Sequence, residues 1–280
     1  MKTGLVLEGG GMRGIYTAGV LDVFLDNGIT FDAVVGVSAG AIYATSFLSG
    51  QRGRSLRYYK KYCKDKNFMG LWSWITTGDF VNKDFCYNRL PNELDILDYD
   101  AFRKNPTEFY VVCANVDTVE AEYIRVDDLE KQTEYLRATA SLPFLSKIVE
   151  IDGKKYLDGG IIDSIPAAHF LKEGYDRIVV VQTQVKEYRK KPSRHTGVRW
   201  MLRKYPKLLA AIDRRSDVYN QTMEHIFDLE EQGRVLCIRP SKCLGLARLE
   251  KDAEKLQKQY ELGCADALRM LDRIKAYLTQ

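Results

Sequence analysis

Ser38 stands in Gly36-Val37-Ser38-Ala39-Gly40, with apolar residues 33–35 before it and Ala41-Ile42-Tyr43-Ala44 after it. A Gly-x-Ser-x-Gly run lets a strand turn sharply into a helix and presents the serine hydroxyl at the turn, where it can act as a nucleophile. The small flanking residues remove the Cβ atoms that would obstruct so tight a reversal. Upstream, Gly4-Leu5-Val6-Leu7 reads as a short buried strand running into Glu8 and then Gly9-Gly10-Gly11-Met12-Arg13-Gly14. Successive glycines ahead of a helix expose backbone N–H groups that can converge on an anion, as the tetrahedral oxyanion of acyl transfer requires. Far downstream, Lys155-Tyr156-Leu157-Asp158-Gly159-Gly160 is a strand-like approach ending in a carboxylate, and Asp158 is the candidate base.

The three groups together resemble the patatin-like phospholipase family. Its Gly-Gly-Gly-x-Arg-Gly loop matches Gly9 to Gly14, its Gly-x-Ser-x-Gly matches Gly36 to Gly40, and its Asp-Gly-Gly/Ala matches Asp158 to Gly160. The segment Ala138-Thr139-Ala140-Ser141-Leu142-Pro143-Phe144 also looks like the stretch that precedes the family's aspartate. The resemblance covers about residues 4 to 185. It implies a Ser38–Asp158 dyad without histidine, an oxyanion hole formed or positioned by Gly9, Gly10, Gly11, Met12, Arg13 and Gly14, and no metal or cofactor. The implied substrates are phospholipids or other long-chain acyl esters, and Arg13 either holds a headgroup phosphate or makes an ion pair across the loop.

These groups need a scaffold of alternating buried strands and helices. Residues 15–25 carry apolar positions near helical spacing and stop at Asn27-Gly28; 109–114 and 177–182 are continuous buried strands, and 121–126 alternates like an edge strand. Asp152-Gly153 fits the turn of a two-residue hairpin. The expectation is an α/β protein with a three-layer α/β/α patatin-like fold, a mixed central sheet and a mainly helical C-terminal region. A catalytic domain over residues 1–185 would be followed by residues 186–280. There, 201–212 and 218–229 read as two helices, 234–238 as a strand and 249–278 as a long helix or helix pair.

The chain has 280 residues, 45% hydrophobic and 29% charged, which suits one large folded domain. No apolar leader opens it and no apolar run approaches ~20 residues, so neither a signal peptide nor a membrane span is expected. Six cysteines without a Cys-x-x-Cys pair suggest free thiols in a reducing cytoplasm. Residues 51–66 carry seven cations against Asp65 alone, and residues 186–215 carry eleven, Lys190, Lys191 and Arg194 among them, against Glu187 and Asp213. With a net charge of only +4, charge is polarised. Such stretches are either solvated faces or an attachment surface for an anionic membrane; no nucleic-acid module accompanies them. Between the two, Asn67-Phe68-Met69-Gly70-Leu71-Trp72-Ser73-Trp74-Ile75 reads either as a lipid-facing lid or as core.

Three other readings compete. Gly9-x-Gly11-x-x-Gly14 also fits a dinucleotide loop, but Asp32 precedes the second strand, whose end holds the serine instead of a ribose-binding acid. A Ser–His–Asp triad would draw on His169, His195 or His225, with His169 the nearest to Asp158 in sequence. A non-catalytic lipid-binding module is the third.

Overall fold

A computed structural model describes residues 1–143, 145–192 and 196–279, without the side chains of Thr196, Val198 and Met201. Phe144, Arg194 and His195 therefore lie outside the described residues.

The apolar runs form an eight-stranded sheet. Its strands are β1 (Thr3–Leu7), β2 (Ala33–Val37), β3 (Glu108–Asn115), β4 (Ala121–Arg125), β5 (Val149–Ile151), β6 (Lys154–Asp158), β7 (Arg177–Val181) and β8 (Val235–Ile238). The order is β5-β6-β3-β2-β1-β7-β8, with β4 paired to β3. The links β1–β2, β1–β7, β2–β3 and β7–β8 are parallel, while β3–β4, β3–β6 and β5–β6 are antiparallel. The sheet is therefore mixed, as expected. At the β5–β6 hairpin, Asp152 and Gly153 both have positive φ, 51° and 76°, the signature of a two-residue type I′ turn.

Strand periodicity divides the core into two faces. Leu5, Leu7, Val34, Val111, Val179 and Leu236 face one cluster, which is covered by α1 (Ile15–Asp26), α2 (Ala39–Leu48), α3 (Arg54–Tyr62) and α10 (Ala253–Arg269). Val6, Val35, Val112, Val180 and Val235 face the other, covered by α7 (Ala167–Lys172) and α9 (Pro206–Glu231). Helices lie on both sides of the sheet, giving three layers.

The C-terminal part is built into these layers. β8 extends the sheet beyond β7, and α10 packs along α1 through the buried bonds Tyr16 Oη to Asp266 (3.1 Å) and Tyr260 Oη to Asp22 (2.6 Å). Where the sequence suggests two helices at 201–212 and 218–229, one continuous helix runs from Pro206 to Glu231. Proline supplies its first turn, where its missing N–H costs nothing. The polar run from Asp213 to Asp217, which resembles a linker, continues the helix with Ser216 buried.

Candidate active site

Ser38 falls between β2 and α2 with φ 53° and ψ −123°, a left-handed conformation that a residue bearing Cβ adopts at a cost of about 1–3 kcal/mol. Close packing enforces this strain. A Cβ on Gly36 would lie 2.5 Å from the Ala41 backbone nitrogen, and one on Gly40 would lie 2.5 Å from the Leu7 carbonyl oxygen. Val37 ends β2 and Ala39 opens α2. The Ser38 N–H donates to Thr139 Oγ1 (2.9 Å), and that hydroxyl donates to the Val112 carbonyl (2.6 Å), tying the elbow to α6 (Thr133–Thr139) and β3.

Sheet register brings Asp158 to the same place. Val37 pairs with Val112 of β3, and Asp158 pairs with the next residue, Cys113. Because β4 occupies the opposite edge of β3 at these rungs, β2 and β6 share one edge and run head to head toward each other. Ser38 and Asp158, each at the last position of its strand or just past it, meet where they converge. The Asp158 N–H donates to the Ser141 carbonyl (2.8 Å), and its carboxylate accepts from the Gly160 N–H (2.8 Å), the aspartate loop Gly159-Gly160 forming a short turn. Asp158 is 2% and Ser38 9% exposed, and both line one cleft. No direct hydrogen bond joins the two side chains; such contacts often tighten only around substrate.

The glycine loop borders that cleft with Gly9, Gly10, Gly11 and Arg13. Gly11 has φ 59°, and a Cβ there would lie 2.6 Å from the Arg248 carbonyl oxygen. The Met12 N–H donates to that Arg248 carbonyl (2.9 Å), so Met12 positions the loop. Its buried side chain, together with Gly14 packed on Tyr43 and Ala39, does the same. The N–H groups of Gly9, Gly10 and Gly11 have no acceptor among the described residues. Arg13 makes no ion pair across the loop; its Nε is buried without a hydrogen-bond partner.

Two cavities meet at Ser38. The first holds about 1030 Å³ of empty space, part of it open to solvent, and is lined by apolar residues including Ile42, Tyr59, Phe68, Leu90, Leu136 and Leu142. The second, about 450 Å³, is polar and contains Glu8, Asp158 and the cations Arg13, Lys190, Arg215 and Arg248. Glu8, Thr139, Arg215 and Arg248 have no assigned role in the sequence reading; Thr139 lies in a segment noted there only as a likeness. The Glu8 carboxylate accepts from the Thr183 N–H (2.6 Å) and the Tyr219 hydroxyl (2.7 Å), joining the ends of β1 and β7 to α9. Burial pushes its carboxyl above the ordinary range, against the pull of those two bonds. Lys190 is not part of an exposed patch: it lies over the Tyr219 ring (4.2 Å), and burial, then Arg215, draws its ammonium down to about 7.

No histidine of the described residues lines either cavity. His169 stacks on Tyr123 at 3.5 Å between ring centroids, and His225 is exposed. The core reading of the tryptophans also fails. Trp72 and Trp74, on the short helix α4 (Leu71–Thr77), are 50% and 45% exposed beside exposed Leu71 and Ile75, while Phe68 and Met69 are buried below.

Fold and cleft together define an α/β/α protein with a strained serine elbow opposite a strand-end carboxylate. The chain belongs to the patatin-like phospholipase family, whose model matches residues 5–171. A domain of unknown function, DUF6363, matches residues 205–279. The chain is 26% identical over 268 residues to YjjU of Escherichia coli (strain K12), a protein described as uncharacterized, covering 94% of this chain and 75% of that one. It is 31% identical over 185 residues to the lysophospholipase nte1 of Emericella nidulans, covering 64% of this chain but 12% of the fungal protein. The structure of VipD from Legionella pneumophila is similar at TM-score 0.48 and 14% identity, over 97% of this chain and 67% of that one, too distant to carry an argument.

Proposed function

We propose that this protein hydrolyses acyl esters of lipids through a Ser38–Asp158 dyad. The observation that carries the reading is the convergence of the strained Ser38 elbow and Asp158 on adjacent rungs of β3, at the mouth of an apolar cavity. Ser38 Oγ attacks the ester carbonyl carbon while its proton passes to Asp158. The charge that develops on the carbonyl oxygen is received by the free N–H groups of the Gly9–Gly11 loop. The ester C–O bond then breaks, the leaving alkoxide takes the proton from Asp158, and the acyl group stays on Ser38. Water gives a proton to Asp158 and attacks the acyl-serine. The fatty acid leaves, and Ser38 recovers its proton.

The acyl chain fits the apolar cavity. The exposed side chains of α4, with Lys66 4.9 Å above the Trp72 ring and exposed Lys60, Lys61 and Lys64 nearby in sequence, support peripheral attachment to an anionic membrane surface. No helix of the described residues is long and apolar enough to cross a membrane, and the six cysteines are unpaired, which supports a reducing compartment such as the cytoplasm.

The test is covalent labelling and turnover. Wild-type protein should react with a fluorophosphonate probe at Ser38 and cleave a p-nitrophenyl acyl ester, and Ser38→Ala should do neither. Asp158→Asn should abolish turnover while His169→Gln stays within a few-fold of wild type, because loss of a histidine base typically costs at least ~10³-fold. Labelling at another serine, or a folded but inactive His169→Gln, would overturn the dyad.

A further inference from the structure

The polar cavity holds more positive charge than the chemistry at Ser38 uses. Arg13 enters from the glycine loop, Lys190 from the segment after β7, Arg215 from the middle of α9, and Arg248 from the segment before α10. Among the described residues none of the four has a carboxylate within 4.0 Å. Arg13 Nε is buried with no partner at all, and Arg215 donates only to the Gly160 carbonyl (2.6 Å). The two acids of the cavity offset the cluster only in part, Glu8 acting on Arg13 and Lys190 and Asp158 on Arg215, and neither makes a direct ion pair with them. Glu8 is committed to Thr183 and Tyr219, and Asp158 to Gly160. The arrangement is also held in place: the Asn220 side chain accepts from the Lys190 N–H (2.8 Å) and donates to its carbonyl (3.0 Å), and the Arg248 carbonyl caps Met12. Like charges gathered in a partly buried cleft repel one another and lose hydration, so four cations against two carboxylates, with no direct ion pair, describe a site for an anion.

Ser38, Leu142, Gly11 and Arg248 line both this cavity and the apolar one. An ester whose carbonyl sits at Ser38 therefore has its acyl chain on one side and its alcohol portion on the other. Resting on the hydrolase reading above, we propose that the Arg13–Lys190–Arg215–Arg248 cavity selects among phosphate-bearing esters, taking the alcohol portion's phosphate as a terminal monoester in preference to a choline phosphodiester. Four cations against the two carboxylates of the cavity leave a surplus of about two positive charges while Lys190 is protonated, which matches a phosphate that carries close to two negative charges. A choline ammonium would meet cations and find no free carboxylate, and the Tyr219 face that could hold it is occupied by Lys190.

The experiment compares kcat/KM of the full chain for 1-oleoylglycerol 3-phosphate, 1-oleoylglycerophosphocholine and 1-oleoylglycerol in neutral detergent micelles. The phosphate monoester should lead both the choline phosphodiester and the neutral glycerol ester by at least ~10-fold. In Lys190→Met and Arg248→Met the monoester-to-glycerol ratio should fall by about the same factor, and Lys190→Arg should restore it. Separately, inorganic phosphate is titrated calorimetrically into Ser38→Ala protein, where binding should be present and lost on adding Lys190→Met. This arm needs no turnover, so a failure of the dyad does not decide it. A choline phosphodiester turned over as fast as the monoester, or a monoester-to-glycerol ratio unmoved in both variants, overturns the proposal. Phosphate binding without any preference among the esters also overturns it and makes a free anion the occupant.

Discussion

At the scale of single residues, the distinctive feature is a lysine held among arginines. Lys190 faces Glu8 from β1's end, Arg13 from the glycine loop, Arg215 and Tyr219 from α9, and Arg248 from the segment before α10. Burial, then Arg215, draws its ammonium down to about 7, so in the free protein it is charged below that pH and loses its charge above it. A phosphate monoester gains its second charge near pH 6. kcat/KM reports the free enzyme. For a phosphate-bearing ester it should therefore rise toward pH 6 to 7 and fall above, whereas Lys190→Arg, always charged, should lose the falling limb. A falling limb that persists unchanged in Lys190→Arg would assign it to another group. The neutral glycerol ester supplies the control, since its alcohol portion carries no charge for Lys190 to meet.

Among the elements, α4 presents a cluster of exposed apolar side chains. Leu71, Trp72, Trp74 and Ile75 are exposed together, while the Met69–Val81 bridge at the base of the helix closes a loop over the apolar cavity, which both residues line. Replacing Trp72 and Trp74 together with serine should weaken sedimentation with anionic vesicles by about 10-fold or more, because a buried aromatic is worth ~1.5–3 kcal/mol. Turnover of a soluble p-nitrophenyl ester should change little. Equal vesicle binding by the double variant would remove α4 from the membrane contact. This element also shows where sequence stops informing. The strands and the elbow were legible because apolar runs bounded by glycine have few alternatives, and register then follows from burial. The orientation of 67–75 was not, since aromatic residues without periodicity look the same facing core or water. Likewise Lys190, Arg215 and Arg248 sit in basic or loop stretches that resemble solvated faces, and only the turn of α9 and the path of residues 239–252 bring them to one cleft.

Taken as a whole, the molecule does not divide where its family match ends. The match stops at residue 171, yet β7 follows it and β8 covers β7's outer edge. Met223, Ile226 and Leu229 of α9 close one face of the sheet, and Leu256 and Leu262 of α10 close the other against α1. At about 2 kcal/mol for each buried side chain of this size, those five residues together approach the ~5–15 kcal/mol that holds a typical domain folded. Removing them also leaves Val179 and Val181 on an unpaired parallel edge, a template for aggregation. A chain ending at residue 185 should therefore be insoluble or should lack a cooperative thermal transition, and the remedy is not a longer linker but the return of β8, α9 and α10. Co-expression of residues 186–280 as a separate chain should restore soluble complex and fluorophosphonate labelling at Ser38, since the two parts share one sheet. If the 1–185 fragment alone melts cooperatively and labels at the wild-type rate, the C-terminal part is an appended unit, and the cleft's three C-terminal cations serve something other than the fold's own chemistry.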